Sequence, residues 1–183
     1  VTGRSYKKPS FEKADAQGKS LAMMVEKSLE TSADTLNKAS INLRAKTFKL
    51  PMENRLFKLA AILGIIKQGF NGWGMHRTEM AAFTIGNAGF LTFPGEIYPE
   101  IVYGGIEAPE GRDYPVEPIE VPPLDTVMPG AYHFYLGLSN DEMGYIIPKS
   151  EWDRKKPYLY GDEDGHYGES NSLGPETGVI IHQ

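Results

Sequence analysis

The residues that could do chemistry in this chain are few and lie at the ends of extended segments. Four histidines are present, His76, His133, His166 and His182. No two stand four apart, so no helical pair of imidazoles is offered to a metal. Cysteine is absent, which removes thiolate ligands, disulfides and a thiol nucleophile together. There is no nucleophile elbow and no phosphate-binding loop. What remains is Asn87, Glu96, Asn140-Asp141 and the run His166-Tyr167-Gly168-Glu169. Carboxylate, amide, imidazole and phenol can ligate a hard or borderline cation or move a proton, and loops at strand ends are where such groups gather. Each also has a plainer reading. Glu96 follows Pro94-Gly95, a pair suited to the centre of a type II turn. Asn140-Asp141 follows an apolar run and reads as a turn or helix cap. Tyr167 among glycine and acidic residues reads as a surface aromatic.

These groups need a scaffold, and hydrophobic spacing supplies one. The chain has 183 residues, 40% of them hydrophobic, which suits one domain or a large piece of one. Gly18 opens a helical pattern through Leu21, Met24, Val25, Leu29 and Leu36, which predicts a helix over 18–36 covering a sheet. Residues 1–16, with Arg4, Lys7, Lys8 and Lys13, read as a basic arm. Ile41, Leu43, Ala45 and Thr47 alternate with Asn42, Arg44 and Lys46, a half-buried strand over 41–50. Leu56, Phe57, Ala60, Ile62, Leu63 and Ile66 predict a buried helix over 53–67. Glycines around Trp73 mark a loop. Strands follow at 78–86 and 89–93, joined by a tight turn, with a short helix in Ile97–Tyr103.

Residues 108–130 hold six of the thirteen prolines and form a long loop over the surface. Tyr132, Phe134, Tyr135 and Leu136 predict a buried strand over 131–138. Tyr145-Ile146-Ile147-Pro148 is a short extended piece, and Ser150-Glu151-Trp152 opens a brief helix. The stretch from Tyr158 to Pro175 reads as a loop with little core of its own. The expected class is α/β, of the α+β kind, with a mixed, mainly antiparallel sheet and packed helices. Strands 78–86 and 131–138 are apolar on both faces and call for cover on both sides.

Charge excludes some functions. The net charge is −5, so binding to nucleic acid chiefly through phosphates is not expected. No stretch approaches the roughly 18 apolar residues of a membrane span.

The order of the weak motifs carries more than any one of them. Thr84-Ile85-Gly86-Asn87 is followed by Phe93-Pro94-Gly95-Glu96. Next come Gly137-Leu138-Ser139-Asn140-Asp141 and Gly144-Tyr145-Ile146-Ile147-Pro148. His166-Tyr167-Gly168-Glu169 and Leu173-Gly174-Pro175 close the series. This arrangement resembles the neutral/alkaline, non-lysosomal ceramidases, over the later half of their catalytic domain. The resemblance implies a zinc-dependent amide hydrolase that cleaves N-acyl sphingosine or a related lipid amide to fatty acid and amine. It implies Glu96 and Tyr167 as metal ligands and a setting outside the cytoplasm: secreted, periplasmic or membrane-associated. Two histidine ligands belong to the earlier half, absent here, so the whole of 1–183 reads as the C-terminal part of a larger catalytic domain whose N-terminal half is its partner. The start at Val1 rather than Met fits that expectation.

Two features depart from the pattern. The family shows Gly-Gly-Tyr-Glu at its tyrosine, whereas here Gly168 separates Tyr167 from Glu169. The proline-rich loop at 108–130 lies between the two ligand motifs. The shifted acid favours an alternative, a non-catalytic binding or structural module that keeps the fold.

Overall fold

The computed structural model describes residues 9–33, 35–72, 74–105, 112–114, 117–156, 158 and 166–183. Trp73, the first half of the expected basic arm, residues 108–111 and 115–116 of the proline-rich stretch and all of 159–165 lie outside the described residues. The chain divides into two units, 1–38 and 39–183.

The first unit holds α1, Phe11–Thr31. It begins seven residues before the expected start because Ser10 caps it. The Ser10 side chain accepts a hydrogen bond from the Lys13 amide at 3.1 Å, satisfying a donor that the helix leaves open. Gly18 is therefore inside the helix, not at its start, and residues 11–16 are helical rather than an arm. An ion pair between Lys19 and Asp15, one turn apart, measures 2.8 Å. None of the residues of α1 is buried.

The second unit is an α+β fold with a four-stranded sheet in the order β1-β2-β3-β5. The strands are β1, Ile41–Pro51; β2, Met75–Ile85; β3, Ala88–Thr92; and β5, Tyr132–Leu136. β1, β2 and β3 pair antiparallel, and β5 joins β3 in parallel. A second, two-stranded sheet pairs β4, Glu96–Ile97, in parallel with β6, Tyr145–Ile146. The helices are α2, Arg55–Ile62; α3, Pro99–Tyr103; α4, Tyr167–Ser170; and α5, Glu176–His182. The helix expected over 53–67 stops at Leu63, since Gly64 takes φ +73, a conformation that ends helices.

The core sits at one end of the large sheet. Only the last residues of β1 are covered, with Leu50 fully buried and Ile41 70% exposed. Phe93, Ile101, Ile146, Trp152 and Leu173 fill this end. At the other end a cross-strand row of rings lies open. Phe83 stacks on Phe90 at 4.7 Å and Phe90 on Phe134 at 4.8 Å, where registered neighbours bring side chains together. β5 is thus an edge strand with Tyr132, Phe134 and Leu136 exposed, not the buried strand its composition predicted. Cover on both faces, expected for β2 and β5, is not found among the described residues. The stretch after residue 166 also differs from expectation. It carries α4 and α5, and Leu173 and Ser172 within it are buried.

One side chain fastens that stretch to the sheet. Asn54, 5% exposed, caps α2 by accepting from the Leu56 and Phe57 amides at 3.0 and 3.2 Å. Its Nδ2 donates to the Ser170 and Ser172 carbonyls at 2.8 and 3.0 Å. Both ends of the amide are used, and their removal leaves several buried groups unpaired. Asn54→Ala should therefore cost about 3 kcal/mol, the sum of a lost cap and lost buried hydrogen bonds, read from denaturant unfolding. A loss within about 0.5 kcal/mol, the level of an ordinary surface change, would contradict this role.

Candidate functional site

Glu96 stands at the buried end of the large sheet. Phe93, Pro94 and Gly95 before it are buried, while Glu96 itself is exposed. Its amide donates to the Gly144 carbonyl at 2.9 Å, and the register places Glu96 opposite Tyr145. Paired positions of parallel strands present their side chains to the same face, so carboxylate and phenol become neighbours. The Tyr145 phenol is pushed above its usual range, first by partial burial, then by the charge of the Glu96 carboxylate and a hydrogen bond to it.

Tyr167 opens α4 and is 71% exposed. Its ring meets that of Tyr145 edge-on, with centroids 5.9 Å apart. Tyr98 meets Tyr145 in the same manner at 6.1 Å. Glu96 and Tyr167, 71 residues apart in sequence, are thus brought to one place, both against Tyr145. The phenol beside Glu96 is that of Tyr145, which was not singled out as a site residue. The signal was present in the run Gly144-Tyr145-Ile146-Ile147-Pro148, whose length and position make it a strand able to pair with the segment after Pro-Gly.

The shifted acid has a structural explanation. Glu169 is buried, and its carboxylate accepts the Asp153 amide at 3.0 Å. Burial pushes its carboxyl above the usual range. Gly168 is where it is because the Tyr98 hydroxyl packs on it: a Cβ there would lie 2.6 Å from that oxygen. Tyr98 in turn is pushed up to about 12, first by burial and then by the charge of Glu169.

A second polar group lies under the loop after β5. His76 opens the buried part of β2, and its Nε2 lies 2.7 Å from Asp141 Oδ2. Asp141 Oδ1 accepts the Glu142 amide at 2.9 Å. Asp141 is therefore no simple turn residue, although the sequence read it as one. The spacing gave no hint of its pairing with His76, 65 residues away. Leu138 and Asn140 in this loop take φ +52 and +73, uncommon for residues other than glycine.

The other candidates have structural duties. Asn87 Oδ1 accepts the Ala131 amide at 3.1 Å, tying the β2–β3 turn to the start of β5. Asp125 Oδ1 receives the Tyr135 hydroxyl at 2.6 Å and faces His133 Nδ1 at 2.9 Å. That hydrogen bond holds the His133 imidazole above its ordinary pKa. His182 Nε2 donates to the Pro122 carbonyl at 2.8 Å. His166 flanks α4 and packs on Tyr158.

Among the described residues no three or more His, Asp and Glu are grouped so as to hold a metal unaided, and no helix is long and apolar enough to cross a membrane. No family model matches the chain, and neither a curated protein nor a solved structure does.

The tyrosine cluster makes an alkaline titration informative. Tyr98 should ionise near pH 12, against about 10 for a free phenol. The folded state holds that proton more tightly, so the associated stability is complete below about pH 10 and is lost as pH rises towards about 12. Tyrosinate absorbance and alkaline unfolding should both report it. Glu96→Gln should bring the Tyr145 titration closer to the ordinary phenol value. An unchanged Tyr145 titration in that variant would remove the contact between the two groups.

Proposed function

We propose that this chain carries the oxygen-ligand part of a zinc-dependent amide hydrolase of the neutral ceramidase type. The observation that supports the reading is that Glu96 pairs in register with Tyr145, whose ring in turn meets that of Tyr167, at the end of the sheet. The donor set is chemically suitable: a carboxylate and a phenolate give a borderline cation two anionic oxygens. The remaining two ligands are histidines from the N-terminal half implied by the resemblance. The substrate class, a lipid N-acyl amine, and the setting outside the cytoplasm come with that resemblance alone.

When bound, zinc supplies a water acidified towards neutrality and a polarised amide carbonyl. The residues of this chain hold and orient the ligands. Glu96 is fixed in direction by its place on β4. Tyr145 stands opposite Glu96 across the β4–β6 pair, and as a phenolate it would give the cation a second anionic oxygen. The rings of Tyr98 and Tyr167 both meet that of Tyr145 edge-on and limit its rotation.

The alternative of a non-catalytic module drew on the acid displaced from Tyr167. Glu169 serves the backbone at Asp153, so the displacement has a cause unrelated to loss of activity.

The test uses the chain together with its N-terminal half, with zinc measured by elemental analysis and hydrolysis of an N-acyl amine by product release. Glu96→Gln should empty the site and reduce hydrolysis by more than the about 10–100-fold that changes outside the ligand shell produce. Tyr145→Phe and Tyr167→Phe separate the two phenols, and the larger loss of zinc is expected from Tyr145→Phe. Full zinc content and full activity in Glu96→Gln would overturn the proposal.

A further inference from the structure

A cavity of about 540 Å³ lies beneath the loop that follows β5, within the size range of small-molecule sites. Met52, Phe57, Ile66, Met143 and Leu173 give it apolar walls. Its polar end holds Asp141 and His76, with Gln68 and Asn140 beside them and Glu142 at the rim. Among the described residues no lysine or arginine lines it. A carboxylate and an imidazole at the end of an apolar cavity are costly to bury unless they are hydrogen-bonded or serve a ligand.

The geometry fixes the carboxylate. His76 is 4% exposed, and its ring lies so close over Gly69 that a side chain at position 69 would strike it. Nδ1 has no partner among the described residues. This suits the tautomer that carries its proton on Nε2 and gives it to Asp141. Asp141 then has Oδ2 against His76 and Oδ1 against the Glu142 amide, and its carboxylate lines the cavity. Leu138 and Asn140 line the same cavity with positive φ, and backbone strain of this kind gathers at ligand sites. A neighbouring cavity of about 380 Å³ shares Gln68, Asn140 and Asp141. There Thr78, 6% exposed, has a hydroxyl without a partner among the described residues.

We propose that the cavity beside His76 and Asp141 binds a hydrophobic organic cation, an amine whose ammonium meets the Asp141 carboxylate while its alkyl or aryl body lies on Met52, Phe57, Ile66, Met143 and Leu173. His76 is a positioning residue that aims the carboxylate. The apolar walls favour an organic cation over a small inorganic one, and two carboxylates disfavour an anion, with Arg77 on the neighbouring cavity rather than on this one. The site stands independently of any metal at Glu96.

The test is an NMR titration of the whole 183-residue chain carrying labelled methionine methyls, with hexylammonium, hexanoate and hexanol as probes. Hexylammonium should shift the Met52 and Met143 methyls saturably and leave Met128, which lines a different cavity, in place. Hexanoate and hexanol should bind at least about tenfold more weakly, as the loss of one charge-assisted hydrogen bond implies. Asp141→Asn should weaken hexylammonium by a similar factor. Should that variant fold poorly, Glu142→Gln, at an exposed rim position, should still weaken it by about threefold. Equal binding of hexanoate, shifts that miss both methyls, undiminished binding in both variants, or no binding of hexylammonium would each overturn the proposal.

Discussion

At Gly144 the chain passes so close to the carbonyl of Asn171 that no side chain could stand there. A Cβ would collide with that oxygen, and φ is +90, a region that L side chains rarely adopt. Gly144 also accepts the Glu96 amide, while Tyr145 donates to Asn171 at 2.9 Å. Three stretches, 94–96, 143–146 and 171–173, are therefore joined by backbone hydrogen bonds. Met143 donates to Pro94 at 3.0 Å, and Tyr98 to Ile146 at 3.0 Å. This junction sets the register of β4 against β6, which sets Glu96 beside Tyr145, which in turn receives Tyr167.

The same junction explains why the core and the polar groups share one end of the sheet. Leu50, Phe93, Ile146 and Leu173 are buried around it, and the hydrophobic contribution of those side chains, about 1.5–3 kcal/mol each before the cost of ordering, supports the close approach of the backbones. Asn54 secures the third stretch from the opposite side. The loop after β5 has to leave the sheet, run over the cavity and return at Met143. Its positive φ values at Leu138 and Asn140 are the geometric consequence of making that path short. The two polar groups, Glu96 with its phenols and Asp141 with His76, are therefore products of one arrangement of chain, joined by the three residues 142–144 between Asp141 and Tyr145.

Much of this was readable in the sequence, for identifiable reasons. β1 and β2 carry alternation over ten residues, long enough for a period of two to be unambiguous. The tight turn at Gly86-Asn87 has residue types that admit few conformations, and Gly86 takes φ +58 there. Pro94-Gly95 is a bend rather than the expected type II turn: Gly95 does not take positive φ, and the Glu96 amide goes to Gly144 instead of closing a turn. The start of α1 was misread because Gly18 looked like a boundary, whereas the Ser10 cap decides it. The burial of 166–175 was hidden because glycine, serine and glutamate are loop residues by composition. Leu173 and the hydrogen bonds from Asn54 bury them all the same. β5 was taken for a buried strand because tyrosine and phenylalanine are apolar in bulk, yet an edge position leaves them open. The pairing of Tyr145 with Glu96, and of His76 with Asp141, depends on the junction at Gly144 and on tertiary folding, which spacing along one strand cannot encode. The motif order resembling the ceramidases singles out Glu96 and Tyr167, and the fold sets each of them against Tyr145.

The account stands on one claim, that Glu96 and a phenol beside it form a single set of oxygen ligands. Anomalous scattering at the zinc edge, from crystals of the chain together with the N-terminal half that the proposed function requires, measures this directly. The account predicts one peak bonded to the Glu96 carboxylate and to the phenol oxygen of Tyr145 or Tyr167. A zinc peak bonded to neither Glu96 nor these phenols, in a protein that hydrolyses an amide, would contradict it.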